Sequence, residues 1–155
     1  MFADALAALE SLPAIAALRE STLAYPLVNA AHLIGIALLF GAIVPLDLRL
    51  AGWGRQAGTV DQLSRLLLPV AIFGFLLAAS AGLLLFATDA RAYAASSLFQ
   101  AKILLIGLAL ANALSLRLVD WRRAGPPNRL AVAGTASLVL WLGAIVLGRL
   151  VGYFD

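Results

Sequence analysis

The chain has 155 residues, of which 63% are hydrophobic and 12% are charged. Soluble domains average about 45–50% apolar and about 25% charged residues, so this composition indicates an integral membrane protein whose main partner is the lipid bilayer. The net charge of +3 comes mostly from arginines scattered between apolar runs, which is typical of residues that set membrane topology and not of a nucleic-acid-binding surface. The absence of cysteine excludes disulfide and thiolate chemistry.

Residues 1–24 form a segment that precedes the first long apolar run. Its larger apolar residues recur near helical spacing, while Asp4 and Glu10 add acidic charge and Pro13 interrupts it. A signal peptide begins with basic residues, whereas the first charge here is acidic. We therefore expect a retained N-terminal amphipathic helix, or two short ones, lying in the membrane interface; packing against the end of a helix bundle would give the same pattern.

Four apolar runs follow, and each is long enough to cross a bilayer. A hydrocarbon core of about 30 Å needs about 20 helical residues at about 1.5 Å per residue. Pro26 suits the first turn of a helix, and two pairs match the capping-box pattern, Thr59 with Gln62 and Ser97 with Gln100. The predicted spans are residues 26–48, 63–87, 98–119 and 129–151.

Short connections between the spans predict an all-α, up-down-up-down four-helix bundle over residues 25–155. Most arginines lie in or beside the first and third loops, namely Arg49, Arg55, Arg65, Arg117, Arg122, Arg123 and Arg129. The other side has Arg19, Arg91, Lys102 and Arg149. The positive-inside rule then predicts that both termini face outward, which is the periplasm for a protein of a bacterial inner membrane.

Small residues recur every four positions in the second and fourth spans. The two stripes are Gly74, Ala78 and Gly82, and Ala144, Gly148 and Gly152. Small side chains let a neighbouring helix or a flat ligand approach the backbone closely. This pattern predicts self-association into a homo-oligomer, or room for a planar cofactor.

His32 is the only histidine and lies inside the first span, while Lys102 and Arg149 lie at a similar distance from the same side of the membrane. A histidine inside a bundle is a common axial ligand of haem iron, and cationic groups near the interface suit the haem propionates. This layer of polar residues predicts a b-type haem or a porphyrin between the helices, with His32 as the metal ligand and Gly35 and Gly82 beside the cofactor.

Each of these residues also has an interpretation without a cofactor. Lys102 and Arg149 are close enough to helix ends to extend their charged groups to the interface. His32 alone could tie two helices together by a hydrogen bond, which in membranes contributes about 0.6 kcal/mol. With no second histidine, a single chain offers a five-coordinate iron, a weak sixth ligand such as neutral Lys102, or a haem shared between two chains.

Three motifs carry a resemblance to known families: Y-P-x-V-x-x-x-H-x-x-G from Tyr25 to Gly35, D-L-R-L from Asp47, and F-Q-x-K ending at Lys102. They resemble a family of small four-helix bacterial membrane proteins of unassigned function. More distantly, the layout is similar to the CopD-type copper-resistance membrane domain and to the HemJ-type membrane-bound protoporphyrinogen oxidase. The second similarity implies haem or porphyrin binding at His32, supported by Lys102.

Two competing functions are weighed against haem binding. A structural or accessory membrane protein would use the same polar layer only to hold helices together. A transporter of a small solute or a metal needs a continuous polar path, whereas one histidine, one methionine and no cysteine cannot form a convincing copper path. Asp47 and Arg49 are interpreted as residues of a solvated helix end. The sequence names neither an enzymatic activity nor a redox or porphyrin-handling partner.

Overall fold

The computed structural model describes residues 1–54, 59–118 and 128–154 of the chain. Within these residues the protein is all-helical and has no strand. In chain order the helices are α1 (Phe2–Glu10), α2 (Pro13–Glu20), α3 (Ala24–Leu50), α4 (Val60–Thr88), α5 (Ala90–Ala95), α6 (Ser97–Leu118) and α7 (Asn128–Phe154). Three arginines that contribute to the predicted topology, Arg55, Arg122 and Arg123, lie outside the described residues, as does residue 119, the predicted end of the third span.

Four of these helices, α3, α4, α6 and α7, are long and apolar enough to cross a membrane. They contain between 22 and 29 residues, so each exceeds the length needed to span a hydrocarbon core of about 30 Å. Their outer surfaces carry large apolar side chains, including Leu66, which is 72% exposed, and Val139, which is 64% exposed. So much exposed apolar surface suits lipid and not water, as in a multi-pass membrane protein.

The start of α4 follows the predicted capping box. The Thr59 hydroxyl accepts a hydrogen bond from the Gln62 amide, and the Gln62 side chain accepts one from the Thr59 amide. The second predicted capping box is wrong by one residue. Ser96 has extended backbone angles and accepts from the Phe99 amide at 3.0 Å, so it is the N-cap of α6 and Ser97 is the first helical residue.

Helices α3 and α4 pack closely along an antiparallel contact. Gly35 of α3 lies against the backbone of Gly74 and Ala78, and a side chain at Gly74 would meet the Leu39 amide nitrogen at 2.5 Å. Residues further along α3 thus meet earlier residues of α4. The absence of a side chain at both glycines is what lets these two backbones touch.

Helices α6 and α7 form a second antiparallel pair. Lys102 packs on Gly148, and the Asn112 amide donates a hydrogen bond to the Ala133 carbonyl at 3.0 Å. The two pairs meet mainly through α3 and α7, where Asp47 packs against Gly134. Helices α4 and α6 scarcely contact each other. The long helices therefore form two tight hairpins, α3/α4 and α6/α7, joined along one side.

The short helices α1, α2 and α5 gather at one end of the long helices, which we call the cap end. Glu10 accepts hydrogen bonds from the Arg91 amide at 2.8 Å and from the Arg91 guanidinium at 2.9 Å, which ties α1 to α5. The Arg19 guanidinium donates to the Thr88 carbonyl, which ties α2 to the end of α4. The residues predicted as the second loop thus include the helix α5.

A hydrophobic cluster fills the middle of the structure, where the two hairpins meet. Its buried members are Leu39, Ala42, Ala71, Ala109 and Trp141. Phe75 lies edge-on to Trp141, with ring centroids 6.3 Å apart. On the cap-end side of this cluster, the hairpins enclose a cavity.

Candidate functional site

The cavity has a volume of about 630 Å³ and lies between the two hairpins, bounded by residues from all four long helices. This volume falls within the range of about 300–1,000 Å³ that is typical of small-molecule sites. Its walls are mostly aliphatic and aromatic. The polar and charged side chains that line it are Asn29, His32, Lys102 and Arg149. The space is thus apolar in its body and cationic near the cap end.

His32 lies on the wall that α3 and α4 share. Its Nδ1 is 2.7 Å from the main-chain carbonyl oxygen of Ala78. A carbonyl oxygen only accepts hydrogen bonds, so Nδ1 carries the proton, and in the neutral ring the lone pair is on Nε2. Among the described residues the ring makes no other hydrogen bond. Metal-binding histidines commonly have this arrangement, in which one nitrogen donates to the protein and the other is left to bind.

Gly82 provides the space for the imidazole. A Cβ atom at Gly82 would lie 3.0 Å from Cε1 and 3.2 Å from Nδ1 of His32. These distances are too short for an unshifted ring, so only glycine permits this position of the histidine. Gly82 also lines the cavity.

Gly35 lies elsewhere. It is buried in the contact between α3 and α4, against Gly74 and Ala78, and it does not line the cavity. The small residues of the second span accordingly have two structural uses: Gly74 and Ala78 receive α3, and Gly82 receives the His32 ring. Of the second stripe, Ala144 and Gly148 line the cavity.

Lys102 reaches across the cavity wall from α6 toward α7. Its side chain packs on Gly148, where a Cβ atom would lie 3.3 Å from Nζ, and its ammonium lies 5.7 Å from the centre of the Phe99 ring. In the described part of the chain no carboxylate forms an ion pair with it, and no acidic side chain there lines the cavity. An ammonium group in such surroundings attracts an anion.

Arg149 lies closer to the cap end and is exposed. Its guanidinium donates to the Tyr153 hydroxyl at 2.6 Å and stacks on the same ring at 4.6 Å. It lines the cavity together with Lys102 and His32, so the structure brings these three predicted residues to one space. Among the described residues, no aspartate or glutamate lines that space.

Aromatic residues shape the two ends of the cavity. Trp141 and Phe75 belong to both its floor and the hydrophobic cluster. Phe86 and Phe99 line it near the cap end and stack with centroids 5.4 Å apart. Apolar aromatic residues are common in helix cores, so nothing in their sequence positions distinguishes them as cavity walls.

The interpretation of Asp47 as part of a solvated helix end is wrong. It is only 5% exposed, and the Ser137 hydroxyl hydrogen bonds to its carboxyl group. Its second carboxyl oxygen, Oδ2, has no hydrogen-bond partner among the described residues. Ser137 is 90 residues further along the chain, so only the packing of α7 on α3 reveals this contact.

Comparisons of the chain with protein-family models, with curated proteins and with solved structures find no match. The described residues contain no group of three or more histidine, cysteine, aspartate or glutamate side chains that could hold a metal ion.

Proposed function

We propose that this protein binds a b-type haem, or a related porphyrin, in the membrane between its two long hairpins, with His32 as the axial ligand. The observation that carries the proposal is the His32 ring. Its Nδ1 donates to the Ala78 carbonyl at 2.7 Å, so that Nε2 is left to bind a metal at the wall of a cavity of about 630 Å³. Bound haem supplies one-electron redox chemistry at its iron.

The charge distribution supports an anionic ligand. Lys102 and Arg149 line the cavity near the cap end, no carboxylate of the described residues lines it, and the remaining walls are largely apolar. A haem has the matching distribution, with an apolar macrocycle and two propionates on one edge. Lys102 and Arg149 meet the propionates, while Gly82 gives the His32 ring its space beside the macrocycle.

We further propose an up-down-up-down bundle in a bacterial inner membrane, with α1 and α2 as an amphipathic segment at its outer interface. Antiparallel contacts within α3/α4 and within α6/α7 support the bundle. Both termini face the periplasm, since most arginines belong in sequence to the first and third loops or adjoin them, whereas the cap end has Arg19, Arg91 and Arg149. Gly41, Gly107 and Gly152 have nothing within 4 Å of their Cβ positions, and such small residues on helix surfaces support a homo-oligomer. A redox or porphyrin-handling membrane protein is the expected partner.

The competing function is that of a structural or accessory membrane protein without a cofactor. The same His32–Ala78 hydrogen bond favours it, because that bond joins α3 to α4. On this alternative, the cavity is only a packing defect and His32 contributes about 0.6 kcal/mol to helix association. A solute or metal transporter is less well supported, because the hydrophobic cluster with Leu39 and Trp141 closes the cavity toward the membrane centre.

An absorption spectrum distinguishes haem binding from the accessory function. Protein expressed with a haem precursor is purified in detergent and compared with His32→Ala, oxidised and reduced. Haem binding predicts a Soret band that His32→Ala loses and that added imidazole restores, because free imidazole can enter the space left by the ring. The neighbouring wall variant Leu33→Ala should keep the band.

A colourless protein that also fails to take up added haemin would contradict the proposal. So would a Soret band that is identical in the wild type and in His32→Ala. A loss of thermal stability in His32→Ala without any spectrum would instead favour the accessory function.

A further inference from the structure

We propose that the cavity exchanges its ligand sideways with the lipid bilayer, through a gap between α4 and α6 that Leu83 and Ile103 flank. The ligand is then a membrane-dissolved anionic amphiphile, and not a water-borne one. This inference rests on the proposed function, in that the cavity is taken as a ligand site in a membrane-spanning protein.

The gap follows from how the long helices pair. Glycine contacts hold α3 on α4 and α6 on α7, and α3 also packs on α7. Helices α4 and α6 scarcely contact each other, although both contribute walls to the same cavity. A space bounded by two hairpins that meet along one side has its opening on the other side. That side is the α4–α6 seam.

The two ends of this seam are closed. At the cap end, Phe86 of α4 stacks on Phe99 of α6 at 5.4 Å, and Tyr93 of α5 packs against both rings at 6.2 and 5.5 Å. Burial raises the pKa of the Tyr93 hydroxyl, which stays neutral and adds no charge to this barrier. Toward the membrane centre, Phe75 and Trp141 form the floor. Along the α4–α6 side, exchange parallel to the bundle axis is therefore obstructed at both ends.

On both sides of the seam, apolar residues that line the cavity also reach the protein surface. Leu83 on α4 is 68% exposed and Ile103 on α6 is 50% exposed, although both line the cavity. In a membrane, these side chains face acyl chains, which an apolar ligand body can replace at little cost. The cationic groups of Lys102 and Arg149 lie nearer the cap end. The anionic group of the ligand therefore enters at the depth of the lipid headgroups, while its apolar body enters through the seam.

Ligand uptake tests this route. Haemin is dissolved in phosphatidylcholine nanodiscs that contain the ligand-free protein, and the growth of its bound spectrum is followed. Ile103→Trp and Leu83→Trp each fill the gap from one side, and we expect either to slow uptake at least about tenfold. The matched control is Leu33→Trp, because Leu33 lines the same cavity and is 60% exposed but lies on α3.

The control variants also define the contrary results. Tyr93→Ala weakens the barrier at the cap end at a residue that does not line the cavity, and it should leave the uptake rate within about twofold. Faster uptake in Tyr93→Ala, together with unchanged rates in Ile103→Trp and Leu83→Trp, would establish an axial route and overturn the proposal. If Leu33→Trp alone slowed uptake, the opening would lie between α3 and α7, and this result would also overturn the proposal.

A second experiment needs no haem, so it separates this inference from the proposed function. Because the chain has no cysteine, Ile106→Cys places a single thiol on the cavity wall. We expect a lipid-soluble maleimide to label it, Ile103→Trp to slow that labelling at least about tenfold, and a sulfonated maleimide to label it poorly. Equal labelling by both reagents, unaffected by Ile103→Trp, would exclude a lateral opening whether or not haem binds.

Discussion

The imidazole of His32 donates a hydrogen bond from Nδ1 to the Ala78 carbonyl, 2.7 Å away on the neighbouring helix. This contact fixes the ring on the wall of a cavity and leaves Nε2 as the free nitrogen. It depends on two glycines, because Gly35 lets α3 approach α4 and Gly82 leaves room for the ring. These two glycines allow separate tests of the fold and of the site.

Gly82→Ala should damage the site more than the fold. The added Cβ would lie 3.0 Å from Cε1 of His32, so the ring must shift by a few tenths of an ångström from the position in which Nδ1 donates to the Ala78 carbonyl. We expect haemin affinity to fall about tenfold, equivalent to about 1.4 kcal/mol, in a titration of the purified variant. Gly107→Ala is the control, because nothing lies within 4 Å of its Cβ position. Equal affinity in the two variants would argue against ligation through His32.

Gly35→Ala should damage the fold itself. Its Cβ would overlap the backbone nitrogen of Ala78, and backbone atoms in a helix cannot rotate away as a side chain can. We expect a loss of about 1–3 kcal/mol in unfolding free energy, measured by denaturation in mixed micelles. Gly41→Ala on the same helix has open space and should be neutral or stabilising by up to about 1 kcal/mol. Comparable destabilisation by both would contradict the α3–α4 contact.

Lys102→Met should weaken binding only for ligands that carry an anionic group. The ammonium lines the cavity and has no carboxylate partner among the described residues. We expect about a tenfold loss in affinity for haemin and less than about a twofold change for its dimethyl ester, which lacks free carboxylates. Lys102→Arg keeps the charge and should retain most of the haemin affinity. An equal loss for both ligands would assign Lys102 a packing role instead.

Acid should release α1 from α5. Hydrogen bonds from the Arg91 amide and guanidinium lower the pKa of Glu10 below its ordinary value of 4.5. A lowered pKa means that this contact stabilises the folded protein fully above pH 4.5 and is lost as the pH falls through the folded-state pKa. Hydrogen exchange of the α1 amides, corrected for intrinsic rates, should therefore increase below pH 4.5.

Two variants test whether Glu10 is responsible. Glu10→Gln should give fast exchange in α1 at every pH and remove the acid transition. Glu20→Gln, which replaces an exposed carboxylate outside this contact, should leave the transition as in the wild type. An acid transition that persists in Glu10→Gln would assign it to another group.

Ser137→Ala should destabilise the contact between α3 and α7. The change removes the hydroxyl that hydrogen bonds to the buried carboxyl group of Asp47. We expect a loss of about 1–3 kcal/mol in unfolding free energy, because a buried polar group loses its partner. Combining Ser137→Ala with Asp47→Leu should recover part of that loss. A purely additive double variant would show that the two side chains do not interact.

The individual helices were largely predictable from the sequence. Each long helix was predicted to within about three residues of its observed ends where those ends are described, and the Thr59–Gln62 capping box is confirmed. Ser96 and Ser97 are adjacent and chemically equivalent, so the pattern could not choose between them. The helix α5 was missed because its six residues are too few to show a period.

The site was predictable only in part. A lone histidine and a lone lysine in apolar spans drew attention to His32 and Lys102, and both line the cavity. Gly35 and Gly82 look alike in sequence, yet one receives a helix and the other an imidazole. Asp47 looked like a solvated end because its partner, Ser137, is distant in sequence.

The sequence by itself determined that this chain forms four apolar helices, because composition and run length are local properties of the chain and set how it partitions between water and lipid. The tertiary structure alone decided which helices pair, where the cavity lies and which polar atoms face it. These depend on contacts between residues tens of positions apart, such as His32 with Ala78, and on the close backbone approach that glycine permits at particular positions.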